Sequence, residues 1–161
     1  MALNPVTELE AIVDALTADG VPYALCGGLA LGLHGYPRAT KDIDILIEAA
    51  SLPAAIASAK RVGFDVSARK MVFGLRIGKH REVQRVSKLD TDSGALMPLD
   101  FVIVNDELAD VWATRITIDA GARKLTLVSR EGLVTMKRIA GRAQDLVDIA
   151  KLEGAADDEE G

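Results

Sequence analysis

The chain has 161 residues, 49% of them apolar and 27% charged, which suits a compact globular chain of one domain and excludes wholesale disorder. Nineteen Lys and Arg face 24 Asp and Glu, a formal charge of −5. Four of those acids are Asp157, Asp158, Glu159 and Glu160, so the rest is nearly neutral and open to an anionic substrate. No apolar run reaches the roughly 20 residues of a membrane span, and the start MALNPVTELE lacks a signal-peptide pattern. One cysteine and two histidines make neither a disulfide framework nor a structural zinc site, so a reduced, cytoplasmic protein is expected.

In chain order, Asn4 and Pro5 open a helix whose apolar face is Val6, Leu9, Ile12, Val13 and Leu16, and Gly20 stops it. Tyr23 to Cys26 is a short buried strand that ends in Gly27-Gly28. A short helix follows to His34, then a loop from Gly35 to Thr40. Asp42 to Glu48 (DIDILIE) is the clearest strand, and Ser51 and Pro53 open a second helix that stops at Gly63. Two or three strands are expected over 64–88, with Gly74 and Gly78 as turns or bulges, and Asp90 to Gly94 is a turn. Leu99 to Val104 is a central strand, Asp106 to Ala113 a short helix, and 116–118 and 125–128 strand pieces. Ser129 caps a helix to about Ile139, and a last helix covers 142–152. The order is α+β: a short mixed sheet with helices on one side. Residues 1–153 form a single domain, 129–153 its C-terminal helical appendage, and 154–161 a disordered acidic tail.

The informative pattern is Gly27-Gly28, thirteen residues, then Asp42-Ile43-Asp44. Strand side chains alternate, so Asp42 and Asp44 share one face, roughly 7 Å apart, while Ile43, Ile45 and Ile47 face a core. Two carboxylates that close repel each other, and a divalent cation relieves the repulsion. Oxygen donors without nearby Cys or His favour Mg²⁺ or Mn²⁺ over zinc. Asp100, inside LDFVIV, completes a two-metal site if its strand neighbours DIDILIE; the plainer alternative is a strand carboxylate paired with an arginine. Gly27-Gly28 ends a strand and opens a helix, so its backbone can approach phosphate oxygens.

These residues resemble those of the nucleotidyltransferase superfamily with the DNA polymerase β-type fold. The stretch YALCGGLALGLHGYPRATKDIDILI is most similar to small bacterial AbiEii-type toxin nucleotidyltransferases, and more distantly to aminoglycoside and lincosamide nucleotidyltransferases. The resemblance implies that Gly27 and Gly28 hold a triphosphate, that Asp42 and Asp44 bind metal, and that Asp100 binds metal and activates the attacking hydroxyl. Lys137 matches a nucleotide-binding lysine of the toxin-like relatives, and Asp145 or Asp148 an accessory aspartate. The implied activity is Mg²⁺-dependent transfer of an NMP from an NTP such as ATP to a hydroxyl of RNA, tRNA or protein. A toxin–antitoxin or phage-defence setting with a cognate antitoxin is implied as well. Gly28 stands where many antitoxin-type members carry serine, which points away from that branch. A catalytically silent nucleotide-binding module and an antibiotic-modifying enzyme are the alternatives.

Arg38 and Thr40 are either solvent-facing loop residues or substrate contacts. His34 reads as a helix-end residue packed on the core, and Cys26 as a small apolar filler. Residues 60–88 carry nine Lys and Arg against two acids, forming either solvated strand faces or an electropositive wall for triphosphate or RNA.

Overall fold

The computed structural model describes residues 3–37, 39–73 and 81–160. The expected turns at Gly74 and Gly78, and Arg38, lie outside them.

Local chemistry sets the first helix, α1 (Pro5–Ala18): Asn4 Oδ1 accepts from the backbone N–H groups of Val6 and Thr7 at 2.9 and 3.3 Å, and Pro5 takes the first turn. Then come β1 (Ala24–Cys26), α2 (Gly27–Leu33), β2 (Ile43–Ile47) and α3 (Leu52–Arg61). Three strands follow, as the sequence suggested: β3 (Val66–Ser67), β4 (Met71–Phe73) and β5 (Arg81–Leu89). The chain continues through β6 (Leu96–Ile103), α4 (Ala109–Ala113), β7 (Ile116–Asp119), β8 (Lys124–Leu127), α5 (Arg130–Ala140) and α6 (Ala143–Glu160). Ser129 Oγ caps α5 by accepting from Gly132 N–H at 3.0 Å, and Gly141 ends it in the left-handed conformation.

The eight strands form one mixed sheet in the order β3-β5-β6-β2-β1-β8-β7, with β4 also on β5. β2 runs parallel to β6 and antiparallel to β1, and β5 is antiparallel to β6. One face buries Ile43, Ile45, Ile47, Leu99, Phe101 and Ile103 against Leu9, Ile12 and Leu16 of α1 and Ala55 and Ala59 of α3. The other buries Ala24, Cys26, Leu46, Val83 and Val102 against α2, α4, α5 and α6. The α+β class and the mixed sheet stand, but the helices, expected on one side, flank both. The physical reason is that β2 is buried on its two faces, so each needs a helical layer. The helix α6 also runs on to Glu160, through the stretch from residue 154 expected as a tail.

Candidate functional site

The site forms where β1 ends beside the start of β2. Cys26 pairs with Asp44 across that antiparallel ladder, and the chain turns away at Gly27 with φ +67°. A Cβ there would lie 2.2 Å from Asp44 Oδ2, so both the backbone conformation and the contact demand glycine. The parallel register of β2 and β6 sets Asp44 directly beside Asp100. Asp42, just before β2, lines the same pocket of about 500 Å³ as Gly27, Gly28, Thr40, Asp44, Asp100 and Lys137. The strand adjacency that the three-acid pattern required is therefore present.

Burial, and then the neighbouring Asp100 and Asp42 carboxylates, push the Asp44 carboxyl up to about 6, against the opposing pull of Arg81 and Arg142. The Cys26 thiol is buried and pushed up by desolvation first and by the two nearest carboxylates, which makes it the inert filler the sequence suggested. Asp100 is 7% exposed. Arg85 stands opposite it on β5 and grips it with two parallel bonds, Nε to Oδ1 at 2.7 Å and Nη2 to Oδ2 at 3.0 Å. The arginine pairing raised as the plainer reading of Asp100 is thus present, on a residue that also faces the pocket.

The opposite wall comes from α5 and α6. Lys137 is 5% exposed and its ammonium donates to Asp148 Oδ2 at 2.9 Å, with Asp145 Oδ1 at 3.7 Å. Gln144 donates to the other Asp148 oxygen at 2.9 Å. Arg142 binds Asp145 through its backbone N–H and its guanidinium at 3.1 and 2.8 Å. Burial works against the Asp145 carboxylate, yet these bonds outweigh it and hold its pKa below the ordinary value. Asp148 is fully buried and does not line the pocket, whereas Lys137 and Asp145 do. Thr40 Oγ1 donates to the Asp42 carbonyl at 3.2 Å. His34 sits at the end of α2 with Nε2 2.9 Å from Val128 O, a packing contact. Sequence reasoning passed over Arg85 and Arg81 as individual site residues. The signal for Arg85 was the arginine pairing raised for Asp100; its place opposite Asp100 comes from the β5–β6 register.

Do these residues suit the divalent cation that the acid pattern implies? The donors are hard carboxylate oxygens, and burial first, then the neighbouring Asp100 and Asp42 charges, make the ionised Asp44 costly without a cation. Arg85 uses two of the roughly four lone-pair sites of Asp100, which leaves acceptor capacity. Among the described residues no three His, Cys, Asp or Glu side chains are gathered as a ready-made cage. The donor chemistry fits Mg²⁺ or Mn²⁺, with Asp42 and Asp44 as the less encumbered pair.

No family model matches the chain, and no curated protein does. Solved structures do. ANT(2")-Ia, in complex with adenylyl-2"-tobramycin, matches at a TM-score of 0.62 and 15% identity over 94% of this chain and 88% of that one. TM1012 of Thermotoga maritima, a protein assigned to the nucleotidyltransferases, matches at 0.58 and 15% over 93% and 92%. JHP933 of Helicobacter pylori matches at 0.59 and 18% over 91% of this chain. The chain spans 63% of the length of JHP933. Likeness at these identities concerns architecture, and the architecture is the nucleotidyltransferase fold.

Proposed function

We propose that the chain transfers a nucleoside monophosphate from an NTP to a hydroxyl acceptor, in a Mg²⁺- or Mn²⁺-dependent reaction. The observation that carries this reading is the convergence of Asp42, Asp44 and Asp100 on one pocket beside a glycine turn that excludes a Cβ. Gly27 and Gly28 offer bare backbone to the triphosphate. Lys137, held by Asp148 and Asp145, presents an ammonium to the phosphates, and Thr40 contacts the nucleotide from the loop before the acids, a role assigned also to Arg38, which lies outside the described residues. Asp148 acts on the nucleotide only through Lys137, whereas Asp145 lines the pocket and also holds Arg142. Asp42, Asp44 and Asp100 would hold the cation, which when bound neutralises phosphate charge and favours ionisation of the attacking hydroxyl.

The acceptor oxygen forms a bond to the α-phosphorus, the bond to the β-phosphate bridging oxygen breaks, and pyrophosphate leaves with that electron pair. The hydroxyl proton passes to a carboxylate of the site, for which Asp100 stands on the acceptor side. The chain supplies positioning and charge neutralisation and needs no covalent nucleophile. The AbiEii-like stretch 21–48 supports a cytoplasmic toxin–antitoxin or phage-defence role with RNA, tRNA or protein as acceptor. The likeness to ANT(2")-Ia supports antibiotic modification as the rival. Among the described residues no helix is long and apolar enough to cross a membrane.

Incubation with each of four α-³²P-labelled NTPs and a cell extract tests the reading. One macromolecule should become labelled, and Asp44→Asn or Asp100→Asn should abolish labelling while the far-UV spectrum stays native. Full activity in either variant would refute the site. The grip of Arg85 on Asp100 favours a second reading, a catalytically silent nucleotide-binding module. Calorimetry of NTP with and without Mg²⁺ separates the two: binding that ignores the metal, with no pyrophosphate released, selects the silent module.

A further inference from the structure

Four basic side chains among the described residues line the pocket: Arg81, Arg85, Lys137 and Arg142. Three are committed to carboxylates: Arg85 to Asp100, Lys137 to Asp148 and Asp145, and Arg142 to Asp145. Arg81 differs. It forms no ion pair among the described residues, and its Nε is buried without a hydrogen-bond partner. An unpaired buried guanidinium nitrogen is costly, so a ligand group that pairs with the guanidinium would gain by doing so. Glu107 shares a small cleft with Arg81 but makes no ion pair with it.

The strand order says what that ligand would be, given the reaction proposed above, on which this inference rests. The glycine turn ends β1, the acids stand on β2 and β6, and Arg81 opens β5 on the far side. If the triphosphate lies on the glycine turn, pyrophosphate departs toward β1, and an in-line hydroxyl enters from the β6–β5 side. That side presents a guanidinium that feels the Asp44 charge at a distance but makes no ion pair among the described residues, beside the apolar side chains of Met71, Val83, Met136 and Ile139. We infer that Arg81 receives a backbone phosphate of a polynucleotide acceptor, whose terminal base packs on those apolar walls while its hydroxyl reaches the acids. A drug bearing several ammonium groups would meet like charge there.

The test is fluorescence anisotropy with a short single-stranded RNA, about 12 nucleotides, labelled at its 5′ end and free at its 3′ hydroxyl. Full-length wild type, Arg81→Gln, Arg81→Lys and the exposed-surface control Lys60→Gln are compared. Arg81→Gln should bind about tenfold more weakly, Arg81→Lys should recover most of the loss, and Lys60→Gln should change affinity less than twofold. Excess tobramycin should not displace the RNA. Overturning results are equal binding by Arg81→Gln, an equal loss in Lys60→Gln, no RNA binding by wild type, or displacement by tobramycin. Calorimetry of Mg²⁺·NTP on the same preparations keeps the two readings apart. Loss of NTP binding by wild type sinks the proposed reaction, whereas intact NTP binding with an unaltered RNA affinity in Arg81→Gln sinks only the acceptor assignment.

Discussion

Replacing Asp44 by Asn probes, without any ligand, the cost of burying its charge beside two other carboxylates. Asp44 is partly buried next to Asp100 and Asp42, and its carboxyl stands at about 6 instead of 3.8. Between pH 3.8 and 6 the folded protein therefore keeps a proton that the unfolded chain has released, and stability falls as pH rises through that window. Above pH 6 the folded state bears the full cost of the charged form, about 3 kcal/mol at most, since Asp44 keeps some solvent contact. Asn has the same shape and no charge. Asp44→Asn and wild type should be nearly equal near pH 4, and the variant should be up to about 3 kcal/mol more stable at pH 8, roughly 6–12 °C in Tm. Asp19 and Asp145 are held below their ordinary values and weaken the fold in acid, but they are common to both proteins and cancel in the difference. Urea unfolding in EDTA from pH 4 to 8 measures the gap, and added Mg²⁺ should then stabilise wild type and not the variant. A gap that is absent at pH 8, or that fails to close toward pH 4, refutes the cost of burying the charged Asp44 beside its acidic neighbours.

Gly27→Ala should destabilise the protein by at least about 1–2 kcal/mol from backbone strain alone and abolish Mg²⁺·NTP binding by displacing Asp44. Gly121→Ala, at φ +80° with nothing within 4 Å, should cost the backbone strain and spare binding, as thermal melts and calorimetry would show. Lys137→Met leaves buried Asp148 without its ammonium and should cost about 3–5 kcal/mol in urea unfolding, while Lys137→Met with Asp148→Leu should regain much of it. Cys26 should resist a thiol-reactive disulfide reagent at pH 8 in the native protein and react at once after denaturation.

What was legible in the sequence was local chemistry. Asn4-Pro5, Gly20 and Ser129 fix helix ends within a turn, and the acid–isoleucine alternation of DIDILIE fixes which side chains share a face. Three short patterns, Gly27-Gly28, DIDILIE and LDFVIV, therefore pointed to residues that line one pocket. The two-sided helical cover went unread although a signal existed. In Ile45-Leu46-Ile47 the alternation stops and three consecutive residues are fully buried, the mark of a strand covered on both faces. The alternation belongs to the start of the strand, where Asp42 and Asp44 face the pocket, and not to its end.

The cationic half of the site was illegible for a deeper reason. Nine Lys and Arg against two acids over 60–88 looks like an electropositive wall only while neighbours in sequence are counted. In space, Arg61 meets Asp19, Lys88 meets Glu8 and Arg85 meets Asp100, each partner supplied by another element, and Lys70 takes Glu82 from the adjacent strand. Much of the apparent field is thereby neutralised, and the wall reading fails as a sum while surviving at one position. Coulomb interactions fall off with distance and screening, so a ligand in the pocket responds to the cation that no carboxylate has already claimed. Arg81 and Arg85 both point into the site, four residues apart on one strand face, yet only the β5–β6 register gives Arg85 a partner and leaves Arg81 without one. Net charge along a segment is thus a property of the chain, whereas available charge is a property of the strand register. Val104→Glu, one residue past the end of β6 and opposite Arg81 if the β5–β6 register is continued, should weaken RNA binding as much as Arg81→Gln does, because it supplies the missing partner without removing the arginine.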